Sequence, residues 1–206
     1  MPLFFYQKIP LIEYHRNLST GFIIEPKKLF NTIVIISTAL MILSFILFII
    51  HKDKLSITLF ATFITIWYHF FMRWIIGNVV GPMLLGVNSN NKWFHQTKIE
   101  NKFYRILHVK DWKKFLPTYD STLFDLKTQS LDDIINNMCQ AELIHELMFI
   151  FSLVPIAFSI YFGDLYIFVL TSIVAMMFEL CFIIVQRYNR ERLVKLNTKL
   201  KRRRSR

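Results

Sequence analysis

The feature that most constrains the fold of this chain is an apolar run without a charged side chain, from Leu29 to Ile50. Its 22 residues suffice for a helix that crosses the hydrocarbon core of a bilayer, which is about 30 Å thick. Further apolar runs cover residues 55–76, 143–162 and 165–185, and a two-residue turn separates the last two. The pattern therefore predicts an all-α integral membrane protein with about four transmembrane helices and additional interfacial amphipathic helices.

Composition agrees with a membrane protein, because 54% of the residues are hydrophobic and only 19% are charged, against about 25% charged in soluble domains. The two cysteines, Cys139 and Cys181, have no zinc-type spacing and are predicted to be free thiols. The first residues lack the pattern of a secretory signal peptide. Since no internal repeat or low-complexity linker is present, we predict one domain over residues 1–206.

Basic residues predict the orientation of the spans. If both termini and the central segment, residues 77–142, are cytoplasmic, 22 Lys and Arg lie inside and two outside, as the positive-inside rule requires. The chain is therefore expected to be a multi-pass protein of the cell membrane with cytoplasmic termini. Its net charge of +11 predicts contact with anionic lipid headgroups at the basic tail, residues 186–206, rather than nucleic acid binding.

Three segments outside the spans have their own patterns. Residues 1–28 are predicted to form an interfacial N-terminal arm, and residues 103–116 a short amphipathic element at the bilayer surface. The glycines and proline of residues 77–82 predict a re-entrant or cavity-lining turn, because a break at membrane depth needs protein partners. Ser130 and Asp133 form a capping box that should begin a helix running into the third span.

Two ionisable residues stand at the start of the third span. Glu142 and His145 are three residues apart and share a helix face, an arrangement in which a carboxylate can fix the tautomer of an imidazole and raise its basicity. Glu146 lies at a different angle around the helix. The pair is a candidate for general-base catalysis, and the alternative is that both side chains extend to lipid headgroups at the boundary.

Glu179 lies in the middle of the fourth span, where an unpaired charge would be costly. We expect it to pair with Arg73 or His69, which lie one helical turn apart in the second span. Such a pair can serve structure or chemistry, and the residues alone slightly favour a structural role.

The tail opens with three arginines, Arg187, Arg190 and Arg192, directly after a span. Their guanidinium groups suit an anionic substrate, although basic residues at this position also anchor a helix to lipid. His95 and His108 each lie near a Trp in the sequence and are expected to serve surface packing. No metal site, glycine-rich phosphate loop or nucleophile elbow is predicted.

The residues 141–145, Ala-Glu-Leu-Ile-His, and 184–190, Ile-Val-Gln-Arg-Tyr-Asn-Arg, resemble the glycosyl-4,4′-diaponeurosporenoate acyltransferase family of staphyloxanthin-type carotenoid biosynthesis. The aromatic and basic pattern of residues 104–116 and the break at residues 78–82 are further points of similarity. The resemblance extends over about residues 70–206 and omits the N-terminal arm and the first span.

The resemblance implies transfer of a fatty acyl group from a cytosolic thioester, such as acyl-CoA or an acyl carrier protein, to a hydroxyl of a membrane glycolipid or carotenoid glycoside. No covalently bound cofactor is expected. On this hypothesis His145 is the general base, Glu142 orients it, and Asn189 or Gln186 donates to the oxyanion. The residues expected to bind substrate or donor are Arg73, Asn78, Gln186, Arg187, Tyr188, Arg190 and Arg192.

Two other classes remain open from the residues alone. One is a non-enzymatic scaffold or partner-binding protein, in which the charged residues of the spans form interhelical contacts. The other is a different small lipid-modifying enzyme, such as a methyltransferase or a reductase. A small transporter is less favoured, because four spans without inverted-repeat similarity would need to oligomerise.

Overall fold

The protein is a bundle of helices in the computed structural model, which describes residues 26–87, 89–117 and 121–205. No strand occurs in these three ranges. The helices are α1 (Pro26–His51), α2 (Lys54–Ile75), α3 (Gly81–Met83), α4 (Lys98–Ile106), α5 (Val109–Trp112), α6 (Leu131–Phe151), α7 (Ser159–Phe162) and α8 (Leu165–Arg204). Short 3₁₀ turns connect several of them, at Lys92–Phe94, Lys113–Phe115, Ser121–Phe124 and Val154–Phe158. The predicted interfacial arm lies largely outside the described residues.

Four stretches of this bundle are long and apolar enough to cross a membrane. They are α1, α2 continued to Met83, α6 continued through α7, and α8. The exposed apolar side chains of α1 and of the first half of α8, such as Ile35 and Val174, would be costly to leave in water and suit a lipid environment. The all-α membrane fold predicted from the apolar runs is thereby confirmed.

The predicted break after the second span takes a different form. Residues Ile76–Val80 continue α2 as a π-helix, and α3 follows directly, so the chain makes no re-entrant turn here. Gly81 allows close packing against α6, because an added Cβ would lie 3.2 Å from Ile144 Cδ1. Gln140 donates from its amide nitrogen to the carbonyl oxygen of Gly81 at 2.6 Å and ties α6 to this point.

Two further elements depart from the sequence interpretation. The amphipathic element at residues 103–116 is divided into separate helices, because His108 adopts a left-handed backbone conformation with φ of 49° between α4 and α5. The third span is not one regular helix either: α6 ends at Phe151, and a 3₁₀ turn containing Pro155 leads to α7. Proline cannot donate the backbone hydrogen bond that a continuous helix needs.

The basic tail continues the fourth span as one helix through Arg204. At about 1.5 Å per residue, the 40 residues of α8 exceed a bilayer core of about 30 Å roughly twofold. The capping box predicted at Ser130 is confirmed, since the Ser130 and Asp133 side chains bind each other's backbone N–H groups. It begins α6, which packs antiparallel along α8 and brings the candidate residues of both helices together.

Candidate active site

A carboxylate deep in the bundle links three helices. Glu179 of α8 is 1% exposed and accepts a hydrogen bond from Arg73 Nε of α2 at 2.6 Å. Its second oxygen lies 2.7 Å from Nδ1 of His145 on α6. Arg73 also donates to the carbonyl oxygen of His69, which holds the guanidinium in place. The predicted pairing of Glu179 with Arg73 is confirmed.

The pairing with Glu179 determines how His145 can act. A carboxylate that is ion-paired with arginine accepts hydrogen bonds only, so Nδ1 of His145 donates and, in the neutral ring, Nε2 carries the lone pair. The imidazole also stacks on the Phe182 ring at 4.6 Å, and its side chain retains 21% exposure. These contacts fix the orientation of the ring, and part of the side chain stays accessible.

Glu142 has a different set of partners. It is fully buried, and one oxygen accepts from Arg190 Nη1, while the other lies 3.2 Å from Arg187 Nη1. The prediction that Glu142 orients His145 is therefore wrong: both side chains do face α8, but Glu142 meets the arginines and His145 meets Glu179. The two residues are neighbours on α6 that belong to two separate charge clusters.

The two arginines also hold the loop before α4. Arg190 donates from Nη2 to the carbonyl oxygen of Phe94 at 2.7 Å, and its guanidinium lies 4.9 Å from the Phe94 ring centroid. Arg187 donates to the carbonyl oxygen of Trp93 and forms an ion pair with Glu100 at 3.2 Å. Both guanidinium groups are occupied by protein partners, so the structure does not favour them as ligands for a donor phosphate.

Two other predicted site residues, Gln186 and Asn78, differ in their position relative to the charge clusters. Gln186 follows Phe182 by four residues and precedes Arg190 by four, so it lies on the face of α8 that meets α6. Asn78 is exposed and donates back to the carbonyl oxygen of Trp74, without contacting either charge cluster.

A second group of predicted residues lies farther along α8. Asn189 accepts from Lys113 at 2.6 Å, and Tyr188 packs against Tyr104 with ring centroids 6.4 Å apart. Arg192 is exposed and lies 5.6 Å from the centroid of the Tyr188 ring. Asn189 is ten residues from Glu179, which corresponds to about 15 Å along the helix axis. It is therefore not placed to serve a reaction at His145.

An open cleft of about 500 Å³ adjoins the loop held by the two arginines. Trp93 and Glu146 form one side of it, and the indole Nε1 donates to both carboxylate oxygens of Glu146 at 3.2 and 3.1 Å. Leu143 of α6 also lines the cleft. Glu146, which the sequence placed away from the Glu142 face, thereby anchors this loop from a second direction.

Three contributors to these clusters were not singled out from the sequence. Phe182 and Trp93 are aromatic residues in a chain where aromatics make up 16% of the total, so composition did not distinguish them. Lys113 lies in a basic segment, and only the fold brings it against α8. The signal that was available for Phe182 is its position three residues after Glu179, on the same helix face.

Metal binding is not supported in the ranges that the structure describes, since no group of three His, Cys, Asp or Glu side chains there could hold an ion. Cys139 is buried and Cys181 is partly buried, and both are free thiols. His95 is exposed, and the side chain of His108 is 78% exposed.

Comparison with known proteins then gives the family. The family model for glycosyl-4,4′-diaponeurosporenoate acyltransferase matches residues 90–199, more than half of the chain. This stretch includes α4 to α7, most of α8, and both charge clusters except for Arg73. Searches of curated proteins and of solved structures found no significant match. The chain belongs to the glycosyl-4,4′-diaponeurosporenoate acyltransferase family, and it is a membrane acyltransferase of carotenoid biosynthesis.

Proposed function

We propose that this acyltransferase moves a fatty acyl group from a cytosolic thioester to a hydroxyl of a carotenoid glycoside or similar membrane glycolipid, with His145 as the general base. The observation that carries the proposal is the chain of contacts from Arg73 through Glu179 to Nδ1 of His145. A base needs a fixed tautomer and an accessible lone pair: the contact with Glu179 supports the first, and the partial exposure of the His145 side chain supports the second.

His145 alone can carry the proton from the attacking hydroxyl to the leaving thiolate. Nε2 of His145 takes the proton from the acceptor hydroxyl while the oxygen attacks the thioester carbonyl. The tetrahedral intermediate collapses with cleavage of the carbon–sulfur bond, and the imidazolium returns the proton to the leaving thiolate. Glu179 stabilises the imidazolium, and the ion pair with Arg73 holds Glu179 in position. The products are an ester and a free thiol.

Gln186 is the better candidate for the oxyanion donor. It lies on the α6-facing side of α8, one turn from Phe182, the ring on which His145 stacks. Asn189, the other candidate, is one helical turn farther from His145 and already accepts from Lys113. Loss of a single oxyanion donor lowers kcat by about 100- to 1000-fold in well-studied enzymes, and we expect an effect of this size for Gln186→Ala.

The charge distribution supports a reaction at the cytosolic boundary of the membrane. We place both termini and the segment between the second and third spans in the cytoplasm, because that orientation leaves 22 basic residues inside and two outside. A soluble thioester then reaches the bundle from the side on which α8 extends beyond the bilayer, whereas the glycolipid arrives laterally from the membrane.

The test is an acyl-transfer assay with purified protein in lipid nanodiscs. A labelled acyl-CoA and a carotenoid glycoside are supplied, and the acylated product is measured by mass spectrometry. His145→Ala should lower turnover by about 100-fold or more, the typical contribution of a positioned base. His108→Ala is the matched control, since that side chain is exposed and lies outside the two clusters. Wild-type turnover in His145→Ala would refute the assignment.

A second variant separates positioning from folding. Glu179→Gln keeps the size and an acceptor oxygen but removes the charge that stabilises the imidazolium. We expect a lower kcat with an unchanged KM, and a shift in the pH profile of kcat, with helix content and thermal stability measured in parallel. An unchanged pH profile in a folded, less active variant would leave Glu179 with a structural role only.

A further inference from the structure

Two cations lie against one aromatic side chain where α8 leaves the apolar region, and a third lies beside them. Lys113 Nζ lies 5.1 Å from the centroid of the Tyr188 ring, and Arg192 Cζ lies 5.6 Å from it. Lys110 is close enough to influence the charge of Lys113. We call Lys110, Lys113, Tyr188 and Arg192 the Tyr188 patch.

Among the residues that the structure describes, no carboxylate is paired with the positive charge of the patch. Nearby carboxylates have other partners: Glu100 pairs with Arg187, Glu191 with Lys195, and Asp111 lies 3.9 Å from His108 Nδ1. Across the described ranges, no carboxylate lies within ion-pairing distance of the three cations of the patch. Lys113 donates to a neutral acceptor, the amide oxygen of Asn189.

Clustering of like charges is unfavourable without an anion. Burial of Lys113, with Arg192 and Lys110 beside it, lowers the pKa of its amine to about 8. The arrangement contrasts with Arg187 and Arg190, whose guanidinium groups are occupied by Glu142, Glu100 and backbone carbonyls. The Tyr188 patch is thus positioned to receive an outside anion.

We propose that the Tyr188 patch binds a phosphate group, and that this phosphate belongs to the soluble end of the thioester donor. Arginine offers a planar fork of donors to phosphate and lysine a mobile point charge. The identity of the donor rests on the proposed acyltransferase function, whereas the phosphate site itself rests on the three cations.

The position of the patch agrees with a donor of the coenzyme A type. Asn189 and Glu179 are separated by about 15 Å along α8, so the patch lies well apart from Glu179, the α8 residue that contacts His145. Coenzyme A carries its phosphates at one end of a long flexible arm and its sulfur at the other. If the Tyr188 patch holds the phosphates, the flexible arm of coenzyme A can extend along α8 towards His145.

The experiment measures coenzyme A binding by calorimetry to the full chain in phosphatidylcholine nanodiscs. The variant Lys110→Gln/Arg192→Gln removes the two exposed cations and spares the Lys113–Asn189 bond. We expect its Kd for coenzyme A to rise about tenfold or more, as loss of charge-assisted hydrogen bonds predicts. The control is Lys195→Gln/Lys201→Gln on the same helix, where both cations already pair with carboxylates, and its Kd should change little.

Two further measurements show whether the bound phosphate belongs to coenzyme A or to a lipid. They also distinguish failure of the phosphate site from failure of the proposed function. Pantetheine, which lacks the phosphates, should not displace coenzyme A from the patch, and a fluorescent phosphatidylglycerol tests whether a lipid headgroup is bound instead. Loss of phosphatidylglycerol binding alone in the variant would overturn the donor assignment. Unchanged binding of both probes would overturn the phosphate site. His145→Ala should bind coenzyme A normally even if it is inactive, so failure of the base assignment remains distinguishable.

Discussion

Removal of Arg190 is the sharpest test of the charge cluster around Glu142. Arg190 is 2% exposed, pairs with a fully buried carboxylate and donates to the carbonyl oxygen of Phe94. Breaking a buried ion pair by deleting one partner costs about 3–5 kcal/mol, because the other charge stays buried. Arg187, which lies 3.2 Å from Glu142, is still available to compensate part of this charge after the change. We therefore expect Arg190→Leu to lower the free energy of unfolding by about 3 kcal/mol, the lower end of that range.

The assay is reversible unfolding of the detergent-solubilised protein by sodium dodecyl sulfate, followed by circular dichroism. The Glu191–Lys195 pair on the same helix gives a matched control, because the Lys195 side chain is 63% exposed, and Lys195→Gln should cost about 0–1 kcal/mol. Glu142→Leu/Arg190→Leu should be less destabilised than Arg190→Leu, since the uncompensated carboxylate is gone. A loss below about 1 kcal/mol for Arg190→Leu, or strictly additive effects in the double variant, would refute the reasoning.

Three further predictions concern other parts of the chain. Ser130→Ala removes the capping box of α6 and should cost about 1 kcal/mol in the same unfolding assay, and a neutral effect would contradict the cap. Gly81→Leu should destabilise the protein more than Gly81→Ala, since Ile144 Cδ1, 3.2 Å from the added Cβ, can yield to a methyl but not to an isobutyl group; equal stability would contradict the close packing. Lys113, whose pKa is about 8, should reach half-maximal acylation by acetic anhydride near that pH, whereas a midpoint near 10.5 would mean an ordinary lysine. Because the unfolded chain binds more protons between about pH 8 and 10.5, Lys113 should make the folded state more stable as pH rises through that window.

Much of the fold was readable from the sequence because the bilayer restricts the choices. A backbone in hydrocarbon must satisfy its own hydrogen bonds, so long apolar runs predict helices directly. The capping box at Ser130 could also be predicted from the sequence, because it involves only two residues that are three positions apart. The π-helix after Ile75 and the irregular stretch after Phe151 were not predicted in this form, because neighbouring helices compensate such irregularities.

The sequence predicted which residues form the candidate site better than it predicted which of them contact each other. An ionisable residue near hydrocarbon is costly unless it has a partner or a function. This cost singled out Glu142, His145, Glu179 and Arg73. Which carboxylate meets which base was not determined by spacing on α6, where Glu142 and His145 share a face. The antiparallel register of α6 against α8 assigns Glu179 to His145 and the arginines to Glu142.

By itself, therefore, the sequence determined the helical spans, the start of α6 and the ionisable residues that require partners, since these depend on hydropathy and on neighbours within one turn. The tertiary structure alone decided the partners: Glu179 for His145, Phe94 and Glu142 for Arg190, and Tyr188 for Lys113. The physical reason is that these contacts join residues from 34 to 96 positions apart in the chain. Their geometry follows from the relative placement of whole helices, which no local pattern encodes.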